Sequence, residues 1–270
     1  MNNEMFAGML AISLALSISL ADEARQRSKA PGSPAKSLPY EEPRFLNGAI
    51  YDPHDGDKAV LFRFQREASR SGATLKVQRD FTYPDGKLAA RERIVYEGDR
   101  LVSYELEEAQ IGANGSARTK RAANNPGKDI IEFEYTRVAG SRPKLGTEAL
   151  QENTLVADMV GSFLVSHWDA LERGEKVKCR YIVVPRAETV GFTFVRDFKP
   201  TPPGQRVLVV RMEPTSALVG KLVDPLVFTL ELAPPHRVLQ YVGRTTPKIQ
   251  VAGKWKDLDA VTVFDWKSAP

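Results

Sequence analysis

The feature that most constrains the fold is a two-residue alternation of apolar and other side chains in short segments along the chain. Val60, Phe62 and Phe64 share this period, and it returns at Ile131 and Phe133. Because successive side chains of a β-strand point to opposite faces, the spacing predicts strands with one buried face. A chain dominated by such segments buries those faces by folding into a mainly β domain.

Short turns separate the predicted strands. Pro84-Asp85-Gly86 and Glu97-Gly98-Asp99 contain glycines that accept a positive φ, and Pro84 presets φ in the first of them. Strands joined in this way pair with their sequence neighbours in an antiparallel meander. A long polar stretch over 112–128 predicts a loop, and the nearly continuous apolar run Val207–Met212 predicts a strand covered on both faces.

One helix interrupts the strands. Asn153 or Thr154 can cap its start, and Gly174 is the predicted stop. Apolar residues recur in between at spacings of three and four, at Val156, Met159, Val160, Phe163, Leu164, Trp168 and Leu171. We therefore predict a curved antiparallel sheet, half-barrel or barrel-like, with one main amphipathic helix packed against its concave face. The pattern does not distinguish a half-barrel from a closed barrel or a sandwich.

The amino-terminal segment predicts export. Residues Phe6–Leu20 form an uncharged apolar run of signal-peptide length, and Ser19-Leu20-Ala21 offers small residues for cleavage after Ala21. The sequence divides into a signal peptide at 1–21, a flexible leader at 22–44 that is poor in apolar residues, and a single antiparallel β domain at 45–266. The expected location is periplasmic or secreted. Met1–Glu4 has no Lys or Arg, which leaves a retained membrane anchor as the alternative.

Charge and cysteine content narrow the classes of partner. The chain has 38 basic and 34 acidic side chains in a mixed distribution, which argues against a dedicated nucleic-acid binder. Contact with an anionic membrane surface is compatible with this balance, through the basic stretch Arg118–Lys128 or elsewhere; a solvated loop is the alternative for that stretch. Cys179 is the one cysteine, so no intrachain disulfide forms, and a buried inert thiol is expected. The oligomeric state is left open.

No motif predicts a catalytic, metal or cofactor site. The sequence has no G-x-S-x-G, and a calcium loop starting at Asp52 would place Arg63 where a bidentate Glu is needed. His54 lies in a turn, His167 lies beside the helical stripe as a packing residue, and His236 follows a Pro-Pro turn where exposure is expected. An envelope hydrolase with an unrecognised site stays an alternative.

Two segments resemble a known family. Asp158–Trp168 reads DMVGSFLVSHW and Val190–Phe198 reads VGFTFVRDF, and an export signal, a meander, one helix and further strands surround them. This layout resembles exported β proteins similar to the bacterial lipoprotein-carrier half-barrels. The resemblance implies a curved sheet around an apolar hollow that helices close, and in some members an acyl chain within it.

These observations predict a non-enzymatic envelope protein that binds a lipid-like ligand or a protein partner. The expected ligand-lining residues are Phe62, Phe64, Trp168, Phe192, Phe194 and Phe228. Core packing is the alternative role for each of these aromatic side chains. A structural or assembly protein that pairs through a sheet edge is a further alternative.

Overall fold

A computed structural model describes residues 43–54, 59–121, 128–138, 140–198, 206–216 and 225–267. The predicted signal peptide and residues 22–42 of the predicted leader lie outside the described residues. Strands are β1 (Phe45–Tyr51), β2 (Val60–Ser71), β3 (Thr74–Thr82), β4 (Leu88–Glu97), β5 (Arg100–Glu108), β6 (Ala113–Arg121), β7 (Asp129–Thr136), β8 (Lys144–Ala149), β9 (Thr154–Leu155), β10 (Val177–Val183), β11 (Glu188–Arg196), β12 (Val207–Pro214), β13 (Leu226–Glu231), β14 (Val238–Val251) and β15 (Lys254–Asp265). Helices are α1 (Val160–Ser166) and α2 (Trp168–Glu172), with 3₁₀ turns at Ala157–Met159 and Val184–Arg186.

The described strands form one 15-stranded sheet in the order β8-β7-β6-β5-β4-β3-β2-β1-β15-β14-β13-β12-β11-β10-β9. The first and last described strands, β1 and β15, pair with each other at the centre, with Ala49 opposite Val263. β9 runs parallel to β10, and the other pairs are antiparallel, for example Phe64 opposite Phe81. The predicted meander is therefore confirmed in the amino-terminal half of the sheet, and strands β10–β15 pair with their sequence neighbours in the same way.

The connection between β8 and β9 requires the sheet to curl. These strands lie at opposite ends of the strand order, yet only residues 150–153 separate them along the chain. A flat sheet of this size would be about 67 Å wide at a spacing of about 4.8 Å per strand. Four connecting residues reach only about 18 Å. The sheet therefore bends until its two ends lie close together, as the predicted barrel-like class requires.

The curled ends meet through side chains instead of a backbone ladder. Glu148 on β8 accepts hydrogen bonds from the Thr189 hydroxyl on β11 at 2.5 Å and from the Thr189 backbone N–H at 3.2 Å. A Cβ added to Gly146 on β8 would lie 2.1 Å from the carbonyl oxygen of Ala187, so glycine permits this close approach. The sheet is thus barrel-like and unclosed within the described part of the chain.

The predicted helix packs on the sheet but is not continuous. Thr154 and Leu155 form β9, so the helical segment starts later than predicted. His167 ends α1 and precedes α2, with φ −110° and ψ 18°. Ser166 Oγ donates a hydrogen bond to the Phe163 carbonyl at 2.9 Å, and the His167 Nδ1 lies 2.9 Å from the same oxygen. This competition for a helical acceptor accounts for the break.

Both helices bury their apolar stripe against the inner face of the carboxyl-terminal half of the sheet. Phe163, Leu164 and Leu171 share a core cluster with Phe194 and Leu208. Inward-facing residues of β2–β7 form a second cluster with Val184, and residues around β1 and β15 form a third. The helical segment therefore occupies the concavity of the curved sheet.

Two predictions about individual segments are wrong. The polar stretch predicted as a loop over 112–128 contains strand β6, and its residues 122–127 lie outside the described residues. Lys120 on β6 pairs with Glu132 at 2.6 Å, and such cross-strand ion pairs stabilise a polar strand on its exposed face. The run Val207–Met212 is not covered on both faces, since Leu208 is buried whereas Val209 is only half-buried. Among the described residues, the helices pack against the inward side chains of this strand, and its outward side chains are left half-buried.

Candidate functional site

The inner face of the curled sheet surrounds a cavity of about 500 Å³. Both halves of the sheet and the start of the helical segment contribute to its wall. Its apolar lining includes Phe64, Phe81, Phe192, Met212, Phe228 and Phe264. Apolar cavities of this size with a few polar groups are typical of small-molecule sites.

Three of the six aromatic residues predicted to line a ligand site, Phe64, Phe192 and Phe228, lie in this wall. Phe62, Trp168 and Phe194 do not, because each packs in the core: Phe62 lies against Tyr83 with ring centroids 5.0 Å apart. A ligand contact by any of the six aromatic residues stays a prediction.

The three histidines lie outside the cavity wall. The expectation that His236 is exposed is wrong: it is 7% exposed and stacks on Trp168 with ring centroids 3.6 Å apart. The turn before it folds back onto α2, which a sequence pattern does not reveal. His54 is exposed, and its backbone N–H donates to Asp52 Oδ1 at 2.8 Å, as expected for a turn. A hydrolase that uses a cavity histidine as its base therefore has no counterpart in this geometry.

The first of three polar groups on the inner face joins the helical segment to the amino-terminal half of the sheet. Arg66 on β2 donates to both carboxylate oxygens of Asp158, at 2.6 and 3.1 Å, and to the Pro43 carbonyl at 2.5 Å. Tyr96 on β4 donates to Asp158 at 3.2 Å. Burial alone would raise the pKa of Asp158, but the charge and hydrogen bonds of Arg66, together with the charge of Arg79 and the hydrogen bond of Tyr96, outweigh it and hold that pKa below its ordinary value. Asp158 is therefore ionised at neutral pH.

The second polar group faces the middle of the cavity. Arg79 on β3 donates from Nη1 to Glu92 at 2.6 Å, and the guanidinium lies over the rings of Phe64 and Phe81, 5.2 and 5.8 Å from their centroids. Thr246 on β14 donates to the other Glu92 oxygen at 2.5 Å. Burial alone would lower the pKa of Arg79, but the charges of Glu92 and Asp158 together outweigh burial and raise that pKa above its ordinary value. The guanidinium is therefore permanently charged.

The third polar group joins β14, in the carboxyl-terminal half of the sheet, to β5 in the amino-terminal half. Lys248 lies 3.1 Å from Glu108 on β5 and 2.8 Å from Asp257 on β15. Tyr135 on β7 donates to the second Glu108 oxygen at 2.6 Å. The side chain of Gln110 pairs with both backbone groups of Lys248, at 2.7 and 2.9 Å. An irregularity in the β14–β15 register between Arg244 and Lys248 brings these groups over the inner face.

Sequence reasoning missed these charged residues, although a signal for them exists. Arg66 continues the inward positions of Phe62 and Phe64 on β2, and Glu92 lies two residues before the buried Ile94 on β4. A charged residue at an inward position of a two-residue period has to be paired, because burying a lone charge is costly. The partners, however, come from strands distant in sequence.

Other chemistry-bearing groups lie away from this site. The expected burial of Cys179 is confirmed, and that burial raises the pKa of its thiol to about 12; the inertness of the thiol stays a prediction. Arg186 pairs with Glu188 at 2.6 Å. In the described ranges, no group of three or more His, Cys, Asp or Glu side chains has the arrangement of a metal site. Neither helix of the described chain has the length and hydropathy to cross a bilayer.

The chain is similar to one solved structure, but no family model matches it and no curated protein matches it significantly. Among solved structures, a β-barrel-like protein of the domain of unknown function DUF1849 from Brucella abortus is similar at a TM-score of 0.35 and 10% identity. That likeness covers 82% of this chain and 94% of the other. At such a score we draw no conclusion from it, and the resemblance to lipoprotein carriers stays a prediction.

Proposed function

We propose that this protein binds a single amphipathic, lipid-like molecule in the cavity inside its curled sheet and acts in the cell envelope. The cavity of about 500 Å³ between the two halves of the sheet is the observation that carries the proposal. Its aromatic and aliphatic wall suits an acyl chain, since apolar surface gains by leaving water. The apolar segment Phe6–Leu20 supports an envelope location.

Arg79 is the group that suits the polar end of such a ligand. A guanidinium has five N–H donors, and the contact with Glu92 is made by Nη1. The faces of Phe64 and Phe81 hold its plane, so little side-chain freedom is lost when a carboxylate or phosphate binds. The proposed ligand therefore has an apolar chain against the wall and an anionic end at Arg79.

Filling the cavity tests the proposal. Val190 on β11 lies in the wall, and Val190→Trp should weaken binding of the fluorescent fatty acid cis-parinarate by about tenfold or more, because the indole occupies the space of the chain. Val195 on the same strand lies on the outer face, so Val195→Trp is the matched control and should leave the affinity unchanged. Native mass spectrometry of the gently purified chain should also show a bound lipid. Equal affinities of the two variants, together with no bound lipid, would refute the proposal.

The polar end has a separate test. The wild-type protein should bind oleate more tightly than oleyl alcohol, because only oleate has a carboxylate for Arg79. The double variant Arg79→Met/Glu92→Gln removes both charges together and avoids an unpaired buried carboxylate. It should lose the preference and keep the affinity for the alcohol. An undiminished preference would show that another group binds the carboxylate.

A further inference from the structure

The β14–β15 hairpin ends in an exposed tip with a distinctive composition. The last ladder pair is Val251 with Lys254, and the two residues between them, Ala252 and Gly253, have φ of 49° and 75°. Positive φ at both positions is the pattern of a type I′ turn, which matches the twist of its strands and gives a well-defined tip. Lys254 follows the turn, and Trp255 lies between it and Lys256.

The surface around this tip is apolar at its centre and basic at its rim. Trp255 is 39% exposed and lines a surface depression with Val138, which is 60% exposed. Arg137, Lys254 and Lys256 line the same depression and are themselves exposed. Within the described part of the chain, no salt bridge engages these three cations.

The acidic group of the depression is already neutralised. Asp257 lies 2.8 Å from Lys248 and 2.7 Å from Arg244. Its pKa is lowered, because these two cations outweigh the effect of burial. The three exposed cations therefore give the depression a net positive charge.

We propose that the tip of the β14–β15 hairpin docks on an anionic lipid surface, with Trp255 at the level of the headgroups and Lys254, Lys256 and Arg137 against lipid phosphates. Tryptophan favours the interface between membrane and water, and basic residues near an anionic surface add attraction. A stable protein interface buries about 800 Å² per partner around a core depleted of charge. An exposed tryptophan ringed by cations matches the lipid surface better.

The docking surface adjoins the cavity. Pro185, Lys248 and Asp257 line both the cavity and the depression around Trp255. A membrane bound at the tip would face this shared wall, where an amphipathic molecule could pass between bilayer and cavity. Docking itself does not require a ligand, so vesicle binding and ligand binding can fail independently.

Quenching of tryptophan fluorescence tests the insertion. The full chain is mixed with vesicles of phosphatidylcholine and brominated phosphatidylglycerol, and Trp255→Phe serves as the blank for Trp168 and Trp266. The fluorescence difference between wild type and Trp255→Phe reports on Trp255, and the bromine atoms should quench it. Any membrane affinity of residues 6–20 is the same in the two proteins and does not enter this difference. No quenching of that difference would overturn the proposal.

Charge variants test the rim. Lys254→Gln/Lys256→Gln should weaken binding to vesicles that contain phosphatidylglycerol by about fivefold per lysine, roughly 25-fold together. Lys76→Gln/Lys178→Gln removes two exposed lysines from other strands and should have much less effect. Loss of quenching in the first variant and its retention in the second are expected. Equal losses in the two double variants would mean that only the net charge of the protein attracts it to the vesicles, and would refute a defined docking surface.

Discussion

The buried contact between Arg66 and Asp158 should hold the helical segment to the amino-terminal half of the sheet. Asp158→Asn keeps the size of the side chain but removes its charge and replaces one acceptor oxygen with a donor. The guanidinium of Arg66, 3% exposed, then faces an amide N–H where it bonded a carboxylate. The change therefore isolates the ion pair without creating a cavity.

The expected loss follows from the burial of both partners. Removing one member of a buried ion pair costs about 3–5 kcal/mol, and the isosteric amide retains one hydrogen bond, so we expect about 3 kcal/mol. In a domain of this size that corresponds to a fall in melting temperature of about 6–12 °C. Replacing both partners by apolar residues, in Arg66→Met/Asp158→Leu, should recover most of the stability.

Urea unfolding followed by circular dichroism measures these free energies. The exposed pair of Arg173 and Glu175, at 2.7 Å, is the matched control, and Glu175→Gln should cost less than about 0.5 kcal/mol. If Asp158→Asn is no more destabilising than Glu175→Gln, the ion pair does not hold the helical segment. A double-mutant cycle with no coupling between Arg66 and Asp158 would contradict the reasoning in the same way.

Three further outcomes are expected. The folded-state pKa of Asp158 lies below its ordinary value of 3.8, so the stability that its carboxylate contributes is complete above pH 3.8 and is lost as the pH falls below 3.8. In a series of unfolding measurements at decreasing pH, the stability difference between wild type and Asp158→Asn should therefore shrink below pH 3.8. Gly146→Ala would force a Cβ against the Ala187 carbonyl, so a thermal melt should show a loss of about 1–3 kcal/mol, and an unchanged melt would mean that the sheet ends are not in contact. Cys179 should react with a thiol reagent only after unfolding, and rapid labelling of the native chain would contradict its burial.

The secondary structure was largely predictable because it depends on local periodicity. The alternation at Phe62 and Phe64 gave the correct buried face of β2, and the spacing of Phe163 and Leu171 gave the correct buried face of the helical segment. The errors arose where polar side chains form a strand, as in β6, or where Ser166 and His167 interrupt a helix.

The candidate site was only partly predictable. Aromatic residues at inward positions could be named, but Phe64 lines the cavity whereas Phe62, two residues away, packs against Tyr83. Both obey the same period, so the pattern cannot separate a cavity wall from a packed core. The difference depends on how far the opposing strands lie from each residue.

The sequence by itself determined the strand class, most of the antiparallel neighbours and the apolar face of elements such as β2 and the helical segment, because these follow from side-chain spacing over a few residues. Only the tertiary structure decided that β1 pairs with β15, that the sheet ends meet at Glu148 and Thr189, and that Arg66 finds Asp158 across 92 positions of sequence. Contacts of that range depend on the curvature of the whole sheet, which is set by the sum of its strand twists and by the short connection between β8 and β9.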